Sequence, residues 1–156
     1  MLKIFTLLIC LLFFNTAHAE ITQSINSFDN AKITISYFNN KELRLPRECI
    51  FKKYNNEYFL LLRSQYRMSN MISNLEPLRL NIDNSFYSLT PNNYYAMHKE
   101  IISLYLTPQI VSQLSKATKV SMQIPVDNDT KYLVDYLIVD IPRNYIEEWK
   151  HVINMN

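Results

Sequence analysis

Not one of the 156 residues is glycine. Average usage is about 7%, so every reversal of this chain has to be made by residues that carry a Cβ. Asparagine, and after it aspartate, best tolerates the positive φ that tight turns demand. The chain is dotted with these residues in pairs: Asn39-Asn40, Asn55-Asn56, Asp83-Asn84 and Asn92-Asn93, with Asn128 alone. Those positions are the expected turns. The same absence removes every site in which backbone must approach a ligand unobstructed by a Cβ. The P-loop, the dinucleotide fingerprint and the nucleophile elbow are all excluded.

Between these turns the polar–apolar pattern predicts strands. Ala31–Phe38 alternates, with Ile33, Ile35 and Tyr37 on one face and Lys32, Thr34 and Ser36 on the other, as in a half-buried strand. Pro46 keeps 39–47 a loop. Cys49–Tyr54 and Glu57–Arg63 flank Asn55-Asn56 as a hairpin, and the second of them, apolar on both faces, belongs in the middle of a sheet. Leu78–Asp83 and Phe86–Leu89 form a second hairpin around Asp83-Asn84. Segment 64–76 shows no readable period.

Ile101–Val126 organises the rest as a strand–helix–strand unit. Thr107 is a suitable N-cap and Pro108 fits the first helical position. Ile110, Val111, Leu114 and Ala117 form one stripe at helical spacing, predicting a short helix over about 108–117. Whether its flanking strands run parallel is left open. A strand follows over 132–139. Pro142 then opens a C-terminal helix over about 142–153, with Tyr145, Ile146, Trp149, Val152 and Ile153 on its buried stripe. The expected class is α+β, an antiparallel-rich sheet of hairpins with both helices packed on one face.

The N-terminus reads as an address. Lys3, the apolar Ile4–Phe14 and Ala17-His18-Ala19 have the layout of a secretory signal peptide over residues 1–19. The apolar run is shorter than the ~20 residues a spanning helix needs. A lipoprotein reading of Cys10 fails because Ile9 stands where a small residue belongs. Cleavage after Ala19 leaves a flexible lead-in over 20–30 and a single domain over 31–156, periplasmic or secreted, with no transmembrane anchor. Cys49 is then the one remaining cysteine, so no intrachain disulfide can form, and its neighbours Ile50 and Phe51 favour burial.

Catalytic vocabulary is thin. Removing the leader leaves His98 and His151 as the histidines, fewer ligands than a zinc site requires. Glu147-Glu148 are adjacent on a helix and point apart, while Asp127 and Asp129 read as turn chemistry. No metal or cofactor is expected. Loss of Lys3 leaves 15 Lys and Arg against 14 Asp and Glu, and that balance carries no nucleic-acid footprint.

The asymmetries lie elsewhere. Residues 41–67 hold seven basic and three acidic side chains, and tyrosines gather at the hairpin ends and loops. The leading expectation is therefore an exported, non-catalytic interaction domain that binds a protein partner in the cell envelope. Lys52, Lys53 and Tyr54 of the basic hairpin, with Tyr94 and Tyr95 of a loop, are its candidate contact residues. One alternative is a small secreted hydrolase or toxin using His98 with Glu100 or Cys49. Another is a binder of anionic envelope glycan or lipid headgroups through 41–67.

Overall fold

The computed structural model of the chain describes residues 20–39, 48–63, 72, 76–91, 101–128 and 133–155. They form nine strands and two helices, all strand pairs antiparallel, in the α+β arrangement expected. The proposed leader, and Tyr94, Tyr95, His98 and Glu100, lie outside the described residues.

Five strands make one sheet: β1 (Glu20–Ile25), β2 (Lys32–Asn39), β3 (Glu48–Tyr54), β4 (Glu57–Arg63) and β7 (Ile101–Leu106), in that spatial order. The other sheet runs β6 (Ser85–Leu89), β5 (Leu78–Ile82), β8 (Val120–Asn128), β9 (Leu133–Ile141). Helix α1 (Pro108–Leu114) joins β7 of the first sheet to β8 of the second, so its flanking strands never pair and the question of their parallelism dissolves. Helix α2 (Arg143–Asn154) follows β9 and packs on β2 and β3. Leu60, Leu62 and Leu104 of one sheet, Leu80, Met122 and Ile124 of the other, and Leu114, Trp149 and Val152 of the helices meet in a single apolar cluster. The Trp149 indole stacks on the Phe51 ring, centroids 5.2 Å apart.

The turns are made as a glycine-free chain must make them. Asn30, Asn55, Asp83 and Asn84 all have positive φ. Asp83 also holds its hairpin to the start of β8. Its carboxylate accepts from the Thr118 and Lys119 backbone N–H groups and from the Thr118 hydroxyl, the last at 2.7 Å. Those bonds, the Thr118 side chain first, hold the Asp83 carboxyl below its ordinary pKa. Thr107 caps α1 as expected, accepting from the Ile110 N–H, and the helix ends at Leu114 rather than about 117.

Two expectations are corrected. Residues 20–25 of the expected lead-in form β1, paired with β2 from Glu20↔Tyr37 to Ile25↔Lys32. The edge of β2 that faces away from β3 supplies the ladder partner. Second, β2 turns its polar face inward. Thr34 and Ser36 are buried while Ile33, Ile35 and Tyr37 are only half-buried on the other side. Helix α2 lies over the inward face, and its Glu148 carboxylate accepts from the Ser36 hydroxyl at 3.1 Å. Small hydroxyl side chains let the helix approach, and Thr34, beside Ser36, accepts from Gln23 Nε2 of β1 at 3.5 Å.

Candidate functional site

Alternation along β3 divides the candidate hairpin between two surfaces. Lys53 points inward, into a register row that crosses the whole five-stranded sheet: Gln23, Thr34, Lys53, Tyr58, Leu106. The end of α2 rests on this row. Lys53 Nζ donates to the Met155 carbonyl, and Tyr58 donates to the Ile153 carbonyl at 3.3 Å. The last carbonyls of a helix lack intrahelical donors and carry the negative end of its dipole. The sheet thus supplies both the donors and a cation, which gives Lys53 a structural task. Clefts open on either side of this junction. One, of about 490 Å³, is bordered by Lys32, Thr34, Lys53, Asn55, Asn56 and Met155. The other, of about 290 Å³, includes Tyr58, Tyr105, Pro108 and Val111.

Lys52 and Tyr54 point the other way, onto the outer face of the same sheet. Tyr54 is fixed there: its hydroxyl donates to Asp29 and accepts from Asn26 Nδ2 at 3.1 Å. The bond to Asp29 raises the tyrosine's pKa and lowers the aspartate's. Lys52 Nζ sits 5.1 Å above the Tyr54 ring.

Around Lys52 the outer face is apolar. One cross-strand row reads Ile35, Lys52, Phe59, Tyr105; the next reads Tyr37, Ile50, Leu61, Ser103. Phe59 and Tyr105 meet edge to face at 5.7 Å. Ile33, Ile35, Ile50, Phe59 and Leu61 are all half-buried, and Tyr105 is exposed. A solvated sheet face ordinarily carries polar side chains. Phe59 and Leu61 were absent from the candidate residues, yet the signal was present, since a strand apolar on both faces implies an apolar outer face as well as a central position.

The remaining candidates separate. Of the basic residues in 41–67, the described ones divide between two surfaces: Lys53 faces inward and serves the helix end, while Lys52 and Arg63 lie on the outer face, where Arg63 pairs with Glu48 at 3.2 Å. Cys49 is fully buried, and burial pushes its thiol up to about 12, a protonated and inaccessible group. Among the described residues no three His, Cys, Asp or Glu side chains converge as metal ligands, and no described helix is long and apolar enough to cross a membrane. Tyr94 and Tyr95 fall outside the described residues.

No protein-family model matches the chain, and no curated protein matches it in sequence. Its fold, however, is similar to that of a solved structure, invasion associated protein B from Bartonella henselae. The TM-score is 0.56 at 9% identity, over 88% of this chain and 94% of that one. At that identity the likeness concerns the fold.

Proposed function

We propose that the chain is an exported, non-catalytic interaction domain that binds a protein partner in the cell envelope, through the outer face of its five-stranded sheet. The observation that carries this reading is the apolar field around Lys52, formed by Ile35, Ile50, Phe59 and Leu61 with exposed Tyr105 at its edge. An apolar centre with an aromatic and one charge is what protein contact surfaces use: the rings supply area and the charge sets orientation. The leader-like N-terminus supports export.

The test is capture of envelope proteins on the purified, immobilised chain, compared with a Lys52→Ala, Phe59→Ser double variant. Both side chains are off the core, so the variant is expected to stay folded by circular dichroism. The reading expects one stoichiometric partner, retained by the native chain and reduced at least about tenfold with the variant, since aromatic anchors dominate such contacts. Equal capture by both proteins would refute the assignment of this face.

A further inference from the structure

The two sheets present four edges, and three are shorter than the fourth or bridged. Strand β1 is six residues long with Thr22-Gln23-Ser24 at its middle. Strand β6 has only five residues. The outer edge of β7 is met by Pro91, which bridges to Leu104. Strand β9 differs. It runs for nine residues, LVDYLIVDI, without lysine, arginine or proline, and no described strand pairs with its outer edge. At about 3.4 Å per residue this is an edge of about 30 Å. Natural proteins blunt such edges with short strands, charged side chains, proline or bulges; β9 carries only Asp135 and Asp140, toward its two ends.

Its exposed side chains are two aspartates, Asp135 and Asp140, and between them two large apolar groups. Ile138 is 71% and Tyr136 is 45% exposed. Tyr136 lies beside Pro125, but the face turns polar from there: the next rows read Arg79, Gln123, Ile138 and Asn81, Ser121, Asp140, polar through the middle of the sheet. The apolar exposure follows the edge.

We propose that β9 pairs with β9 of a second copy of this chain, joining two four-stranded sheets into one of eight strands about a two-fold axis. The strand's own sequence selects the register. A one-residue slip exchanges the faces of a strand. Only registers whose two-fold passes through a residue therefore keep both core faces on the same side. Among these, the one centred on Leu137 pairs all nine residues. It sets Tyr136 opposite Ile138 of the second copy, and Ile138 opposite its Tyr136, an aromatic–β-branched pair made twice. Asp135 then faces Val139 and Asp140 faces Val134. The half-step register, centred between Leu137 and Ile138, would set Asp135 against Asp140 at both ends and turn a core face outward. Negative charge at those positions thus counts against the wrong alignment. An isologous contact of this kind closes at two copies.

Sedimentation of the purified protein over a range of concentrations tests this directly. The expectation is a monomer–dimer equilibrium, with Ile138→Lys raising the dissociation constant about tenfold or more, because lysine on an edge replaces one member of both symmetric pairs. A Tyr136→Cys, Ile138→Cys double variant should become a disulfide-linked dimer on air oxidation, since directly opposed residues lie at about 4.5–5.5 Å between Cα atoms. Cys49, fully buried, does not compete. A chain that stays monomeric at every concentration overturns the proposal. So does assembly that grows past two copies, the outcome of heterologous pairing between β9 and β6. A dimer unaffected by Ile138→Lys and not trapped by the cysteine pair places the contact elsewhere and equally refutes it.

Discussion

The two sheets of this molecule solve the same problem in opposite ways. The five-stranded sheet meets α2 with a face that includes buried hydroxyls, Thr34 and Ser36, and keeps isoleucines, Phe59 and Leu61 on its outer side. The four-stranded sheet faces the core with Leu80, Ile82, Met122 and Ile124, and faces outward with Arg79, Asn81, Ser121 and Gln123, leaving its exposed apolar groups on its edge strands at Phe86, Tyr136 and Ile138. The second is an ordinary one-side-wet sheet. The difference shows that an alternating strand reveals two unlike faces and leaves open which one the rest of the chain covers. That choice belongs to the helix, and a helix can be accommodated by small polar side chains if each one finds a partner.

If the five-stranded sheet depends on its helix, truncating the contact should be the most damaging single change in the molecule. Trp149→Ala is expected to destabilise by ~3–5 kcal/mol in denaturant titration. The lower part of that range is favoured because the buried Nε1 has no hydrogen-bond partner among the described residues, so its removal relieves an unmet donor. A small effect would mean that α2 is an accessory and the asymmetry between the sheets has another origin.

The four-stranded sheet is fastened by a turn instead. Asp83→Asn should lower the melting temperature at neutral pH by less than the tryptophan change. Its signature is in the pH dependence. The native carboxyl is held below its ordinary 3.8 by its bonds to Thr118 and Lys119. A depressed folded-state pKa contributes stability above the unfolded value, and that contribution is lost as pH falls through the folded value. The gap between native protein and variant should therefore be widest above about pH 4 and close below it. A gap independent of pH would show that Asp83 acts only through its backbone conformation. The smallest effect belongs to the wet face: Gln123→Thr, at the centre of the four-stranded sheet's outer side, should stay within about 0.5 kcal/mol. A larger loss there would erase the contrast between the two outer faces.

Much of this architecture could be read from local chemistry. Asn55-Asn56 and Asp83-Asn84 located the hairpins, and Thr107-Pro108 located the start of α1, because capping and positive φ are decided by one or two residues. Strand β1 escaped notice because Glu20–Ile25 has little pattern of its own and is ordered by the ladder that β2 offers. The division into two sheets was also hidden, since a helix that returns to its own sheet and one that crosses to another have the same stripe. At the candidate site, Lys52, Lys53 and Tyr54 were grouped by proximity in sequence. In a strand, neighbours point to opposite sides, and that rule alone separates Lys53, engaged with the end of α2, from the other two.

The asparagine turns have a chemical consequence beyond geometry. Asparagine ages when the backbone nitrogen of the following residue attacks its side-chain carbonyl, a cyclisation that is fastest when that residue is glycine and offers no hindrance. Here each left-handed asparagine is followed by a residue with a side chain: Ala31 after Asn30, Asn56 after Asn55, Ser85 after Asn84. A chain that places an amide at its reversals and never a glycine behind it can keep asparagine's conformational tolerance while slowing its spontaneous decay.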